Sequence, residues 1–314
     1  MQLTGIHHLT AISADAPGNL RFYTQVLGLR LVKKTVNQDD VSAYHLFYAD
    51  GKGSPGTDIT FFNWPAAPEV RGTNSIVRTW MRVNGASLPW WEERLNKAGV
   101  KNRGVGVRDG RSTLDFEDPE GFRIRLADDG GAGGSVIWDK SPVPAEHQIH
   151  GLGPITISVR DIKPTEAVLT SVLNMRKVRE YAHPLLKGET VHVFEMGPGG
   201  SGAEFQVSTQ SGAAPAQQGA GGSHHVAFRV PTCEDYDAWA DRLNSVGIPN
   251  SGKIDRFWFR SLYFREPNGV LFELATDGPG FATDEPLDKL GETLVLPPFL
   301  EGRRRGIEKG LVPL

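Results

Sequence analysis

The chain repeats itself, and no other feature restricts its fold as tightly. Arg94-Leu95-Asn96 recurs 148 positions later as Arg242-Leu243-Asn244. At the same offset Asp118-Pro119-Glu120-Gly121 is echoed by Glu266-Pro267-Asn268-Gly269, and Leu126-Ala127 by Leu274-Ala275. Nearer the start of each half, Val26-Leu27-Gly28-Leu29-Arg30 matches Val172-Leu173-Asn174-Met175-Arg176 at an offset of 146. A duplicated unit is one supersecondary block, so four readings of a single pattern replace a search for separate elements. HLTAIS alternates as a strand does, APGNLRFYTQVLG spaces its apolar residues as a helix does, and AYHLFYAD and TDITFFNW read as strands. Gly28, Gly99 and Gly247 stand where a helix ends on a left-handed residue, and Asn174 fills that slot in the third block.

This spacing predicts four consecutive βαβββ units, near residues 5–65, 75–129, 149–209 and 222–277. The expected fold is α+β, with the modules in two similar tandem domains, 1–135 and 146–280, and a core in each. Residues 130–148, GGAGGSVIWDKSPVPAEHQ, read as the linker, and GGSGAEFQ and QSGAAPAQQGAGGS as loops. The segment 281–314 lies outside the repeat and is expected to be a C-terminal extension that caps the fold or forms the interface of a homo-oligomer.

A net charge of −3 and a pI of about 6.3 leave no basic face for nucleic acid or an anionic membrane. The one basic cluster, Arg303, Arg304 and Arg305, is flanked by Glu301 and Glu308 and reads as a solvated helix face. No apolar stretch approaches a membrane span, and MQLTGIHHLTAIS lacks the basic start and apolar run of a secretory signal. Cys233 is the only cysteine, which rules out an internal disulfide and points to a reducing, cytoplasmic setting.

Positions needed only for folding should recur in all four units, whereas positions needed for chemistry need not. The first strands read GIHHLTAIS, NSIVRTWMRV, HGLGPITISV and SHHVAFRV, so a His-His pair occurs in units one and four only. Units two and three carry Val77-Arg78 and Gly153-Pro154 instead. In the last strands Glu273 interrupts an apolar run, GVLFELATD, where unit two has Arg125. A buried carboxylate must be paired, protonated or bound to a cation. Two histidines and one carboxylate form the facial set that holds Fe(II) with open positions. Strand alternation lets one histidine of each pair face a common cavity. His8 shares its face with Thr10, and His225 with Ala227 and Arg229, which favours His8 and His225 and leaves His7 and His224 as alternatives. His45, His147, His150, His183 and His192 have no pairing or symmetry to single them out and read as structural or exposed.

Across nearly its whole length the chain resembles the ring-cleaving dioxygenases of the vicinal oxygen chelate superfamily, in particular the para-hydroquinone 1,2-dioxygenases. The markers are GIHHLTAIS, YHLFYAD followed by GSPGTDITFF, SHHVAFRV, DRFWFRSLYFREPNGVLFELATD and the C-terminal FATDEPLDKLGETLVLPPFLEGRRRGIEKGLVPL. The resemblance implies that His8, His225 and Glu273 bind Fe(II), with Mn(II) suited to the same ligands. It places His7, Thr10, His224, Arg256 and Tyr263 around them: His224 as proton donor or acceptor, Tyr263 as hydrogen-bond donor to a metal-bound oxygen, and Arg256 as a charge near the developing anion. Phe257, Trp258 and Phe259 are candidates for an aromatic wall. The expected reactants are a hydroquinone-like or catecholic aromatic and dioxygen. Two other readings use the same scaffold. One is a glyoxalase-like isomerase or quinone-detoxifying enzyme with the metal as Lewis acid, the other a metal-free protein that sequesters an aromatic compound.

Overall fold

A computed structural model describes residues 1–314. Unit one contributes strands β1 (Ile6–Ser13), β2 (Arg30–Val36), β3 (Tyr44–Ala49) and β4 (Asp58–Asn63); unit two contributes β5 (Ser75–Val83), β6 (Asn102–Arg108), β7 (Arg111–Glu117) and β8 (Arg123–Asp128). Unit three supplies β9 (Gly151–Val159), β10 (Arg176–Ala182), β11 (Thr190–Glu195) and β12 (Glu204–Thr209), and unit four β13 (Ser223–Val230), β14 (Ile254–Asp255), β15 (Arg260–Arg265) and β16 (Leu271–Thr276). After each first strand comes a helix: α1 (Ala16–Arg21), α2 (Leu88–Lys97), α3 (Ile162–Ala167) and α4 (Cys233–Ser245). Local chemistry sets their ends. Asp15, Asp161 and Thr232 accept first-turn N–H groups of α1, α3 and α4 at 3.0 Å. The chain leaves the helical segments through Gly28, Gly99, Asn174 and Gly247 at φ of 71°, 72°, 56° and 71°.

The sheets cut across the two halves of the sequence. One runs β14-β15-β16-β13-β1-β4-β3-β2 and joins units four and one; the other runs β10-β11-β12-β9-β5-β8-β7-β6 and joins units three and two. Within a unit the first strand pairs in parallel with the last, as β1 does with β4, and its other edge is left open. A first strand from the other half covers that edge: β13 lies antiparallel to β1, and β9 to β5. The links between units run side by side, with Val70 bridged to Gln217.

Consequently the expectation of one core per half is corrected. A single cluster of 52 buried residues draws on all four units, including Leu9 and Phe61, Trp91 and Leu114, Ile155 and Phe205, Trp239 and Phe272. Sheets shared between halves cannot bury their apolar faces in separate compartments. A second correction concerns GGSGAEFQ: Glu204–Gln206 already belong to β12, and only the preceding glycines turn, Gly199 and Gly200 both having positive φ. The extension packs on unit one, where the Val295 N–H donates to the Lys34 carbonyl at 2.9 Å and the Tyr44 hydroxyl to the Val312 carbonyl at 2.9 Å. Its Phe281 and Leu290 join a smaller cluster with Phe47, Trp258 and Phe259. No helix is long and apolar enough to cross a membrane.

Candidate metal centre

Three neighbouring strands of the first sheet, β1, β13 and β16, bring His8, His225 and Glu273 together. Thr10 pairs with His225, His8 with Ala227, and Ala227 with Glu273. This register stacks the three side chains on one face, while Leu9, Val226 and Leu274 enter the core on the other. A bulge between Ile6 and His8 adjusts the facing of β1. The side chains are 2%, 2% and 0% exposed, so water does not solvate them. His8 Nε2 lies 3.3 Å from His225 Nε2 and 3.2 Å from Glu273 Oε2, and His225 Nε2 lies 2.8 Å from the same oxygen. Donors about 2.1 Å from a shared ion and at right angles to one another are about 3.0 Å apart, so the three separations suit adjacent positions of one coordination sphere.

The hydrogen bonds around the imidazoles fix which nitrogen is bare. His7 Nε2–H donates to the Thr276 carbonyl at 3.0 Å, which leaves His7 Nδ1 with a lone pair. That lone pair accepts from His8 Nδ1–H at 2.9 Å, and His8 Nε2 is then free to bind a cation. His224 and His225 repeat the contact between rings, Nδ1 to Nδ1 at 2.8 Å, without a carbonyl behind His224 to match Thr276. Burial holds His225 below the usual imidazole range. His7 and His224 are pushed to about 3, by burial first and by His8 and His225 next. Both Glu273 oxygens are buried without a well-formed hydrogen bond, and a buried carboxylate of that kind suits a cation as its partner.

These residues fit a resident divalent ion, and the hydrogen-bonded histidines behind them carry a prediction. His7→Ala removes the acceptor that selects the His8 tautomer. It is expected to weaken metal binding about 10- to 100-fold, measured by competition with a chromophoric chelator. An unchanged affinity would show that His8 needs no such partner.

The other expected site residues separate into two groups. Arg256 and Tyr263 line the cavity in front of the ligands, together with Trp258 and Phe259; Phe257 does not. Arg256 stands 5.5 Å over the Tyr263 ring and holds Asp39 with two bonds of 3.0 and 2.7 Å, while Gln38 Nε2 donates to its carbonyl at 2.8 Å. Burial and then Glu273 push the Tyr263 phenol up, so it stays protonated. By contrast, His7, Thr10 and His224 do not line the cavity. Thr10 Oγ1 sits 3.0 Å from His225 Nε2 and 2.8 Å from Thr60 Oγ1, and His224 packs against Phe62 and Trp64.

Sequence reasoning passed over His45 and the Asn37–Asp39 turn, all of which line the cavity. His45 Nε2 bonds Thr60 Oγ1 at 3.0 Å, and its ring lies against Phe47 and Phe62. One signal was available: His45 alternates onto the same strand face as Phe47, opposite Tyr44, Leu46 and Tyr48. The cavity itself is small, about 30 Å³. A much wider depression, about 800 Å³, lies elsewhere along α1, β6 and β7 and mixes Arg21, Lys101 and Arg103 with Asp15 and Glu117. It contains no set of converging metal ligands, so the chemistry is assigned to the smaller, enclosed site.

A His-His-carboxylate set on a sheet built from two βαβββ modules defines the class, and the chain belongs to the Glyoxalase/Bleomycin resistance protein/Dioxygenase superfamily, which it matches over residues 5–126 and 151–274. Among its relatives, the Bacillus subtilis (strain 168) protein named "Putative ring-cleaving dioxygenase MhqA" is 45% identical over 100% of both chains. The chlorohydroquinone/hydroquinone 1,2-dioxygenase of Sphingobium indicum is 30% identical over 96% of this chain and 94% of its own. A crystal structure of a Bacillus subtilis protein superposes with a TM-score of 0.92 at 34% identity, covering 100% of this chain and 98% of that one. Glyoxalase I of Zea mays, at 15% identity and a TM-score of 0.63 over 87% of this chain and 92% of its own, shares the fold.

Proposed function

We propose that this chain is a ring-cleaving dioxygenase that holds Fe(II) on His8, His225 and Glu273 and acts on a hydroquinone-like aromatic. The observation that carries the reading is the buried Glu273 carboxylate, its oxygens without a well-formed hydrogen bond, beside the Nε2 atoms of His8 and His225, in a chain whose full-length relatives bear ring-cleaving dioxygenase names. When bound, the ion supplies open positions for a phenolic oxygen and dioxygen and the electronic route between them. The chain's own residues do the rest. Trp258, Phe259, Phe47 and Phe62 offer ring-sized apolar walls, and Tyr263 donates a hydrogen bond to an oxygen of the bound ring. Arg256 adds a fixed positive charge at the wall where a phenol loses its proton. A single carboxylate among the ligands speaks against the isomerase reading, for which a second acidic ligand is expected.

His224, the expected proton carrier, is bonded to His225 and packs against Phe62, one of the residues that line the cavity. The imidazole on the cavity wall outside the proposed ligand set is His45, held neutral by burial well below its usual range. A neutral imidazole accepts the proton that a bound hydroxyl gives up, and Thr60 fixes its orientation. His45→Phe is expected to lower kcat/KM for hydroquinone about 100-fold with stoichiometric metal retained, measured by oxygen uptake. An unaltered rate would remove His45 from the reaction.

The overall reading is tested by anaerobic reconstitution with Fe(II), followed by oxygen uptake with hydroquinone and identification of a ring-opened product. One ion per chain with no uptake for hydroquinones or catechols would overturn the dioxygenase reading and favour Lewis-acid chemistry.

A further inference from the structure

The second sheet repeats the first strand for strand, so its cup has a counterpart for each group of the metal centre. Arg78 pairs with Thr156 as His225 pairs with Thr10, and Trp80 pairs with Arg125 as Ala227 pairs with Glu273. Asp115 faces Arg125 as Tyr263 faces Glu273. In this cup Arg78 therefore stands in the place of His225 and Arg125 in that of Glu273, while Pro154 replaces His8. No cation ligand survives, and two guanidinium groups occupy the position of the metal centre. The cavity in front of them is also roomier, about 270 Å³ against about 30 Å³.

The charges in this cavity do not balance. Asp115 is its only acid, and Arg125 grips it with both prongs. Arg123 is committed to Glu69 at 3.0 Å. Arg78 stands 3.9 Å from Asp115 and bonds only the Ile124 carbonyl, at 3.4 Å. Arg108 bonds only the carbonyl of its neighbour Val107, at 2.6 Å. Burial, partly offset by Asp115 and reinforced by Arg125 and Arg123, pushes Arg78 down. Arg78 thus reaches Asp115 only at the edge of ion-pair range and shares it with Arg125, while Arg103 and Arg108 on the same cavity have no carboxylate partner, an excess of guanidinium charge that an incoming anion relieves. Ser208, 1% exposed, lines the same cavity with its hydroxyl unpartnered. Tyr181, whose hydroxyl is tied to Gln206 at 2.9 Å, with Val191, Pro184 and the exposed Leu185 at the rim, supplies an apolar part of the wall, beside the polar Thr156, His183 and Gln210.

We infer that the second sheet carries an organic-anion site, in which Arg78 and Arg108 take a carboxylate and Tyr181, Val191 and Leu185 cover an attached flat, apolar body. Guanidinium pairs match the planar, two-oxygen geometry of a carboxylate, and the volume admits a ring or a short unsaturated chain. The site is independent of the chemistry proposed for the first sheet.

Calorimetric titration of the intact, metal-loaded chain with benzoate, and with acetate and inorganic phosphate in parallel, tests this. Saturable binding of one benzoate per chain is expected, with acetate and phosphate markedly weaker because they lack the apolar body. Arg78→Gln and Arg108→Gln should each weaken benzoate at least about tenfold, and Glu273→Ala should leave it unchanged. Arg108 holds no other element in place, so its variant decides the matter if Arg78→Gln fails to fold. Absence of saturable benzoate binding, equal affinity for phosphate, or indifference to both arginine substitutions would overturn the inference. So would loss of binding in Glu273→Ala, which would put benzoate in the metal cup instead.

Discussion

Glu273→Ala is expected to abolish stoichiometric metal binding, and oxygen uptake with it. Of the three proposed ligands the carboxylate alone is anionic; without it two neutral imidazoles would have to hold a dication in a site with almost no solvent. Losing an outer partner of a ligand costs about 10- to 100-fold in affinity, and losing the charged ligand itself exceeds that. Stability gives a readout separate from turnover. An ion that binds only the folded chain stabilises it by about 2.7 kcal/mol at a hundred times its dissociation constant. Wild type should therefore melt higher with added Fe(II) under anaerobic conditions, and the variant should not shift. In the metal-free state the substitution should stabilise the chain or leave it unchanged, since it removes a buried carboxylate whose oxygens have no good hydrogen-bond donor. A variant that still gains the full shift would show that Glu273 is not a ligand.

The ligand set was legible because it consists of exceptions to a repeat. The His-His pairs mark two first strands of four, and Glu273 stands where the duplicate has Arg125. Strand alternation favoured His8 and His225 and left His7 and His224 open; in the structure His8 and His225 converge with Glu273, and His7 and His224 bond to them. Strand pairing was not legible in the same way. A repeat identifies equivalent blocks but does not say which blocks share a sheet, and β1 meets β13 across some 217 residues of chain. His45 was hidden for a related reason. A lone histidine in a strand has no internal comparison, and its meaning comes from Thr60 on the neighbouring strand and from a cavity closed by residues of unit four. The arginines of unit two were visible as substitutions for ligands, but their crowding around one carboxylate became apparent only once β5, β7 and β8 were in register.

The extension past residue 280 supplies the largest expected effect on stability, through Lys33. In β2 this side chain reads as an ordinary polar strand position, yet it is 0% exposed. Its ammonium bonds Glu285, Asp284 at 2.8 Å and the Phe281 carbonyl at 3.1 Å, and lies 5.0 Å over the Trp258 ring. Lys33→Met keeps the volume but leaves the two carboxylates, with side chains 7% and 17% exposed, without their cation. Removing one partner of a buried pair costs about 3–5 kcal/mol, a fall in Tm of roughly 6–10 °C at about 2 °C per kcal/mol for a chain of this size. Combining Lys33→Met with Asp284→Asn and Glu285→Gln should recover most of that loss, because the cost lies in the stranded charge and not in the missing contact. The clamp also reaches the site. Asp284 accepts the Trp258 indole N–H at 2.9 Å, and Trp258 lines the metal cavity. Loosening the extension should therefore raise KM for hydroquinone while metal stoichiometry holds, since the ligands stand on β1, β13 and β16 and not on the extension. Full recovery of Tm in the triple variant with KM still raised would separate the two jobs of this segment: the charges bury it, and the Asp284 carboxylate sets the aromatic wall.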